Sequence, residues 1–373
     1  MTAFSPADHQ FMARAIRLAG RGRWTTMPNP RVGCVITQGG SIVGEGWHEW
    51  AGEAHAEIHG LNRAGDKAKG STVYVSLEPC SHYGRTPPCA EALIRAEVAK
   101  VIVAMQDPNP SVAGRGIGML EAAGIQVQCG LLEQEARSLN AGFIKRMETG
   151  KPWVRAKLAM SMDGRTAMAS GESQWITGPG ARQDVQQLRA SSCAIVTGVG
   201  SILYDNSSLT VREEQLGLED AAIICKRQPL RVVVDSQLRT PVSANVVNGP
   251  GRCLIVTTPR ADNDKVKALS AVGAEVFIQD TDQDRVCLKL LMEELGSRGC
   301  NEVLVEAGAT LAGAMVEAQL LDELVVYMAP VLMGSSARPL LQLPFEAMAE
   351  KLSVEITDIR AVGQDWRVSA RFN

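Results

Sequence analysis

Four residues in the first quarter of the chain have the types and spacing of a catalytic zinc site. His55 is followed two positions later by Glu57, and Cys80 and Cys89 come next with eight residues between them. Zinc accepts imidazole and thiolate ligands, and a hydrolytic site keeps three protein ligands plus water. The metal lowers the pKa of that water to about 7, and a neighbouring carboxylate can pass a proton to a leaving amine.

The order of these residues matches a known pattern, but the spacing of the cysteines does not. His-x-Glu followed by Pro-Cys-x-x-Cys is the signature of zinc deaminases, whereas the second cysteine here lies much further along. A structural zinc is the alternative, because His59 or His82 could supply a fourth ligand and leave no position for water. A closed site of that kind has no use for an acid at Glu57.

The composition excludes several classes of protein. A net charge of −3 and a pI near 6.0 argue against a general nucleic-acid or membrane-surface binder. No apolar run reaches the length of about 18 residues that suggests a membrane span. Nine scattered cysteines favour a reducing cytoplasm over a disulfide framework. All five histidines lie within the first 82 residues, so histidine-based metal chemistry is confined to the N-terminal part.

Alternating strand and helix patterns predict an α/β sandwich over residues 1–148. The segment Gln38-Gly39-Gly40-Ser41 predicts a hairpin between two short strands. The predicted strands are residues 32–37, 42–47, 72–77, 101–104 and 126–129. The predicted helices are one starting after Ser5 and residues 55–64, 89–99, 116–123 and 133–147.

A domain boundary is predicted at residues 149–152, where Gly150 and Pro152 stop the preceding helix. A second α/β domain is expected over residues 149–373. Its predicted strands are residues 153–160, 194–198, 231–235, 254–257, 274–278, 302–306, 323–328 and 366–372. Its predicted helices are residues 179–189, 263–272, 284–298 and 311–320.

The second domain carries weaker chemical signals. Residues 305–314 read as a strand, a small-residue turn and a helix, which suits either a phosphate at the helix N-terminus or close packing. This is not a Gly-x-Gly-x-x-Gly motif, so a Rossmann site is not supported. Trp175 could flank a ring or cap the core. Arg189 and Arg212 could clamp a phosphate, although a single arginine is ordinarily a solvated surface residue.

Three segments together resemble one family, the bifunctional deaminase/reductase of riboflavin biosynthesis. They are Met27-Pro28-Asn29-Pro30-Arg31-Val32-Gly33-Cys34, His55-Ala56-Glu57 and Leu77-Glu78-Pro79-Cys80-Ser81-His82-Tyr83-Gly84-Arg85-Thr86-Pro87-Pro88-Cys89. The long loop between the cysteines separates this family from cytidine, deoxycytidylate and transfer-RNA adenosine deaminases. The resemblance covers essentially the whole chain. It implies an N-terminal cytidine-deaminase-like three-layer α/β/α domain followed by a dihydrofolate-reductase-like α/β domain.

The resemblance also implies roles for individual residues. It makes His55, Cys80 and Cys89 the ligands of one Zn²⁺ and Glu57 the proton donor. The implied substrate is a diaminopyrimidinone with a phosphoribosylamino group. Two further features, Asn29 and the loop 107–110, are either substrate contacts or residues that only form turns. The implied NADPH positions are Ala159, Trp175, Ser201, Asp205, Ser236, Gly308, Ala309, Thr310, Leu311, Ala312, Gly313 and Ala314. The implied substrate positions of the reductase are Ser173, Arg189, Leu209, Arg212 and Glu306.

One departure from the family bears on the reductase site. The family often has Asp-Asp-Pro before Leu-Thr-x-Arg, whereas this chain has Asp205-Asn206-Ser207, which predicts a looser loop. We expect a small phosphorylated substrate and no nucleic-acid or membrane partner. The sequence leaves open whether the chain forms a homo-oligomer. The alternatives are an inactive C-terminal domain, a zinc-stabilised binding protein without turnover, and a nucleic-acid deaminase, which the charge disfavours.

Overall fold

The computed structural model describes residues 4–83, 87–110 and 112–372. Gly84, Arg85 and Thr86 of the long cysteine loop therefore lie outside the described residues. The chain divides into two compact units, which we call unit 1 (Met1–Gly150) and unit 2 (Lys151–Asn373). Where the structure describes the chain, no helix is both long enough and apolar enough to cross a membrane.

Unit 1 is a sheet covered by helices on both faces. Its described strands are β1 (Gly33–Gln38), β2 (Ser41–Trp47), β3 (Thr72–Val75), β4 (Lys100–Val103) and β5 (Gln126–Cys129). Its described helices are α1 (Pro6–Gly20), α2 (Ala56–Ala64), α3 (Cys89–Arg95), α4 (Arg115–Ala122), α5 (Glu133–Leu139) and α6 (Ala141–Thr149), with 3-10 turns at Arg21–Trp24 and Gly65–Ala68. The order of these strands is β2-β1-β3-β4-β5, and β3, β4 and β5 run parallel.

Alternate side chains of each strand pack into two different cores. Ile36, Val73 and Val101 face the core that holds α2, α3 and α4. Val35 and Ile102 face the other core, with α1, α5 and α6. The prediction of a three-layer α/β/α fold for the N-terminal part is thus confirmed.

The predicted hairpin is confirmed, and its turn explains the two glycines. Gln38 pairs with Ser41, while Gly39 and Gly40 have φ of +58° and +78°. Two successive residues with positive φ match the twist of a two-residue hairpin, and glycine adopts that backbone without steric cost.

The prediction of a single helix over residues 133–147 is wrong, because the helix breaks at Asn140. The buried side chain of Asn140 accepts a hydrogen bond from the backbone N–H of Arg31 at 2.8 Å and donates to its carbonyl oxygen at 2.9 Å. This pairing holds Asn140 outside helical geometry, with ψ of 24°, and separates α5 from α6. The helix predicted over residues 89–99 is also too long, since α3 ends at Arg95 and Glu97 has a positive φ of 51°.

Unit 2 is built on a larger mixed sheet. Its described strands are β6 (Trp153–Ser161), β7 (Arg165–Ala167), β8 (Ala194–Gly198), β9 (Leu230–Val234), β10 (Cys253–Thr257), β11 (Glu275–Ile278), β12 (Glu302–Val305), β13 (Glu323–Ala329), β14 (Arg338–Pro339), β15 (Val354–Val362) and β16 (Asp365–Phe372). Its described helices are α7 (Pro179–Ala190), α8 (Val199–Asp205), α9 (Glu213–Leu216), α10 (Ala221–Ile224), α11 (Asn245–Asn248), α12 (Asn263–Ala271), α13 (Leu288–Ser297) and α14 (Ala309–Glu317), with a 3-10 turn at Met348–Glu350.

The main sheet of unit 2 has the order β11-β10-β9-β8-β12-β6-β13-β16-β15 over the described residues. The strands from β11 to β13 are parallel, and β16 and β15 continue the sheet antiparallel. Helices α7, α8, α11 and α12 pack on one face, and α13 and α14 pack on the other. The strand β15 was not predicted, because the alternation that starts with Val354 and Ile356 is interrupted where the register shifts between Ile356 and Asp358.

Gly33 should be intolerant of a side chain, because α1 crosses β1 at close range. A Cβ at Gly33 would lie 2.0 Å from the carbonyl oxygen of Ala15 and 2.7 Å from the backbone nitrogen of Ala19. We expect Gly33→Ala to destabilise unit 1 by about 1–3 kcal/mol through overpacking. Gly118→Ala, in α4 with no atom within 4 Å, should instead stabilise it by about 0.5–1 kcal/mol. Hydrogen exchange of the sheet amides of unit 1 in increasing urea measures both changes, and equal effects would contradict the packing.

Candidate functional site

The side chains of His55, Cys80 and Cys89 converge in unit 1. The Nδ1 atom of His55 lies 3.5 Å from Cys80 Sγ and 3.4 Å from Cys89 Sγ, and the three ligand atoms are all within 4.8 Å of one another. His55 is the residue before α2, and Cys89 is the first residue of α3. Cys80 follows β3, so the group lies beyond the carboxyl end of a parallel strand.

These distances fit a zinc ion. In a tetrahedral site with Zn–S of about 2.3 Å and Zn–N of about 2.0–2.1 Å, a sulfur and a nitrogen ligand lie about 3.6 Å apart. Hydrogen bonds from Cys89 and His55 also lower the pKa of the Cys80 thiol, although its burial opposes this shift. A thiol that ionises readily suits metal binding, because the ligand is the thiolate.

Glu57 lies in the first turn of α2 and is almost fully buried, with 2% of its surface exposed. Burial and the negative charge on Cys80 raise the pKa of Glu57 to about 7. Among the described residues, Glu57 Oε2 has no hydrogen-bond partner. A buried carboxyl oxygen left without a partner beside the ligand group is the arrangement that a proton carrier requires.

His48 is a member of this site that the sequence did not single out. Its ring packs edge-to-face on His55 with centroids 5.2 Å apart, and burial lowers its pKa, which favours the neutral imidazole. His48 Nδ1 lies 3.1 Å from the carbonyl oxygen of Ala54, so it carries the proton. His48 Nε2 then accepts from the Asn29 amide at 3.2 Å and orients that side chain. No sequence signal marked His48, because its contacts join separate loops.

The two histidines that could have closed the zinc site do not join it. Over the part of the chain that the structure describes, the metal-capable group with His55 contains Cys80 and Cys89 alone. His82 is exposed, and His59 Nε2 is buried with no partner among the described residues. The arrangement therefore favours three protein ligands over a closed set of four.

In unit 2, several of the expected site residues share one edge of the sheet. Strands β9, β8, β12 and β6 are consecutive and parallel, so their carboxyl ends lie at the same edge. Ala159 is near the end of β6, and Ser201, Ser236 and Glu306 follow β8, β9 and β12 respectively. Ligands of open α/β sheets bind at this edge.

Arg189 and Glu306, both expected to contact substrate, form an ion pair with each other. Arg189 Nε and Nη2 donate to the two oxygens of Glu306 at 2.6 and 2.9 Å, and Nη1 donates to the carbonyl oxygen of Thr210 at 3.0 Å. Burial alone would raise the pKa of Glu306, but the charge of Arg189 outweighs it and lowers that pKa. Three of the five N–H donors of Arg189 are thus used within the chain.

Lys157 is a second residue that the sequence analysis missed. It lies on β6, and burial lowers the pKa of its ammonium group while the charge of Glu306 opposes that shift. Its position in an alternating strand looks like that of any surface lysine in the sequence. The pairing of β6 with β12 brings it near Glu306.

Trp175 and Ser173 lie in an exposed segment before α7. Trp175 is 70% exposed and has the Arg182 guanidinium 4.8 Å from its ring centroid, so it does not cap the core. Ser173 Oγ lies 3.5 Å from Asp205 Oδ1.

Two hydrogen bonds join the loop after α8 to Asn245, and the looser loop that the sequence suggests stays a prediction. Asn206 ends α8 with a φ of 45°, and its Oδ1 and carbonyl oxygen accept hydrogen bonds from Asn245 at 2.9 and 3.1 Å. The Ser207 hydroxyl donates to the carbonyl oxygen of Ser201 at 3.4 Å.

Of the remaining expected residues, Ser236 bonds a backbone N–H, and most of the others lie in or near α14. Ser236 Oγ accepts from the N–H of Val286 at 3.0 Å, which ties two loops of the edge together. Gly308 precedes α14, whereas a Cβ on Gly313 would lie 2.0 Å from the carbonyl oxygen of Gln342, so Gly313 serves close packing. Leu209 is buried with a φ of 54°, and Arg212 is exposed. The other members of the run, Ala309, Thr310, Leu311, Ala312 and Ala314, lie within α14.

Comparison with known proteins gives matches over nearly the whole chain. The family model "Cytidine and deoxycytidylate deaminase zinc-binding region" matches residues 5–105, and "RibD C-terminal domain" matches residues 152–368. The "Riboflavin biosynthesis protein RibD" of Escherichia coli (strain K12) is 51% identical over 96% of this chain and 97% of its own.

Two solved structures are similar in fold. Acinetobacter baumannii RibD (form 1) has a TM-score of 0.91 at 44% identity, covering 98% of this chain and 99% of that one. The Thermotoga maritima diaminohydroxyphosphoribosylaminopyrimidine deaminase/5-amino-6-(5-phosphoribosylamino)uracil reductase has a TM-score of 0.84 at 27% identity, with coverage of 98% and 99%. These likenesses confirm the predicted fold class.

The zinc ligands can be tested by metal content alone. We expect the purified chain to hold one zinc, and Cys80→Ser and Cys89→Ser to lose it on dialysis, because two protein ligands remain. Cys129→Ser, at an exposed cysteine outside the group, is the matched control and should keep the metal. His59→Asn and His82→Asn should keep it too. Loss of zinc from either histidine variant would contradict the three-ligand set.

Proposed function

The chain belongs to the RibD family of bifunctional riboflavin biosynthesis enzymes, and from this we propose that each unit carries out one of the two reactions. The enzyme is a zinc-dependent deaminase and an NADPH-dependent reductase. We assign deamination to residues 1–148 and reduction to residues 149–373. The observation that carries the deaminase assignment is the buried, unpartnered Glu57 oxygen beside the His55, Cys80 and Cys89 group.

The first reaction is hydrolytic deamination of 2,5-diamino-6-(5-phosphoribosylamino)pyrimidin-4(3H)-one to 5-amino-6-(5-phosphoribosylamino)uracil. His55, Cys80 and Cys89 would hold the zinc ion, which would act as a Lewis acid and lower the pKa of its bound water to about 7. Glu57 takes a proton from the attacking water and delivers it to the ring amine, which leaves as ammonia. Asn29, oriented by His48, donates or accepts a hydrogen bond at the pyrimidine ring.

The second reaction reduces the ribosyl group of the deaminated product to ribityl. NADPH supplies the hydride. Its proposed contacts are Ala159, Trp175, Ser201, Asp205, Ser236 and the start of the run from Gly308 to Ala314, whose later members Ala312 and Gly313 are buried by packing. Charges of both signs lie beside the carboxyl edge of the unit 2 sheet on Glu306, Arg189 and Lys157. We assign these three residues to the phosphorylated sugar, together with Ser173, Leu209 and Arg212.

The two activities should separate by mutation. With the diaminopyrimidinone substrate, we expect Glu57→Gln to lower ammonia release by about 10²–10⁴-fold, because it removes the proton carrier. Zinc content should not change. Glu53→Gln, an exposed acid four residues earlier, is the control and should behave as wild type. Given the deaminated product, Glu57→Gln should still oxidise NADPH.

The converse variant is Glu306→Gln, which should release ammonia normally. It should oxidise NADPH about 10²-fold more slowly, because Arg189 loses its partner and the sugar is misplaced. Ammonia release by zinc-loaded Glu57→Gln at the wild-type rate would contradict the deaminase assignment. Loss of both activities in Glu306→Gln would contradict the division between the units.

We also propose that the chain forms a homo-oligomer through the strand β15. The apolar side chains of Val354, Ile356 and Ile359 on this strand are 40–57% exposed, and Trp366 on β16 is 47% exposed. An exposed strand at the end of a sheet with apolar side chains favours pairing with another chain. Sedimentation of the purified protein should therefore give a mass above 40.0 kDa, and a monomer at micromolar concentration would contradict this.

The reducing cytoplasm remains our prediction for the location of the protein in the cell.

A further inference from the structure

The buried carboxylate of Glu78 lies immediately before Pro79 and Cys80 and takes no part in the chemistry described above. Only 3% of Glu78 is exposed. Its two oxygens accept four backbone hydrogen bonds, from Asp107 at 3.1 Å and Gly114 at 3.0 Å on Oε2, and from Gly116 at 2.9 Å and Ile117 at 3.3 Å on Oε1. A buried carboxylate is tolerated when N–H donors replace its hydration, and such charge-assisted bonds are strong.

The four donors come from one segment, which runs from Asp107 into the first turn of α4. Asp107 lies in the loop after β4, Gly114 is the residue before α4, and Gly116 and Ile117 lie in its first turn, so a single side chain joins the loop to the start of the helix. A Cβ on Gly116 would lie 2.0 Å from the carbonyl oxygen of Pro79, and Gly114 has a φ of +75°. The segment is thus held directly against the peptide that leads to Cys80.

The start of this segment is bonded to the peptide that leads to the ligand group. The backbone N–H of Asp107 donates to Glu78, two residues before Cys80, and burial together with the negative charge of Glu78 raises the pKa of Asp107 to about 6. Asp107 Oδ1 in turn accepts from the N–H of Asn109 at 2.8 Å, which orders residues 107–109. Any displacement of the segment would move these polar groups relative to His55, Cys80 and Cys89.

We propose that Glu78 is a positioning residue for deamination, because its carboxylate fixes residues 107–110 beside the ligand group, where they hold the pyrimidine substrate. This inference rests on the proposed function of unit 1. Glu78 touches neither the metal nor the reacting atoms. It acts through the backbone of the segment, which it holds in the position that the substrate requires.

Glu78→Gln tests the proposal with almost no change of shape. The glutamine amide group would face two backbone N–H donors in place of an acceptor oxygen, so the segment must shift. We expect one zinc per chain as in wild type, a raised KM for the pyrimidine substrate, and kcat/KM for ammonia release lowered by about 10²-fold. Hydrogen exchange at Gly114 and Gly116 should speed up, and NADPH oxidation with the deaminated product should not change. Glu121→Gln, an exposed acid on α4, is the matched control.

A merely structural role gives a different result. If Glu78 only stabilised unit 1, the variant would lose activity in proportion to its lost zinc, and the remaining enzyme would keep the wild-type KM. That result, or wild-type kcat/KM, would overturn the proposal. Wild-type protein that holds zinc and releases no ammonia would instead overturn the proposed function itself.

Gly116→Ala decides the matter if Glu78→Gln yields no folded protein. This variant pushes the same segment away from Pro79 while leaving the carboxylate in place. It should raise the KM of deamination with zinc retained. An unchanged KM in folded Gly116→Ala would contradict the role of the segment in holding substrate.

Discussion

The deaminase site depends on the burial of two small residues that adjoin the metal ligands. Ala56 follows His55 and Ala90 follows Cys89, and both alanines are completely buried in the core between the helices and the sheet. Helix α2 lies close to β2, where a Cβ on Gly46 would come within 2.4 Å of the carbonyl oxygen of Ala56. Because His55 directly precedes α2 and Cys89 begins α3, and the first turns of both helices are locked in this core, these two ligands cannot separate without opening it.

In unit 2 the functional groups are also held in place by the surrounding fold, but on loops after strands and not at the starts of helices. Its polar groups follow the carboxyl ends of neighbouring parallel strands, and hydrogen bonds between loops hold them there. Ser236 links two such loops, and Asn206 links α8 to Asn245. The Arg189 and Glu306 pair keeps two opposite charges at this edge without a large cost of burial, since each satisfies the other.

The sequence predicted local features well and distant pairings poorly. The hairpin at Gly39 and Gly40 and the order of most strands and helices followed from glycine geometry and apolar periodicity. The break at Asn140 could not be foreseen, because its partner Arg31 is 109 residues away. Likewise, Gln279 binds the backbone of Cys287 through both ends of its amide, so α13 starts at Leu288 and not at residue 284 as predicted. The metal group was visible because its residue types are rare and ordered, whereas Glu78 and Lys157 acquire their environments only in the folded chain.

Zinc K-edge X-ray absorption on the purified full chain tests the central claim most directly. An open site predicts one imidazole nitrogen and two sulfur ligands from His55, Cys80 and Cys89, with one further light atom from water. The signal should lose a sulfur in Cys80→Ser if metal is supplied in excess. A shell containing two imidazoles, or four protein ligands with no water, would contradict the account and indicate a structural metal.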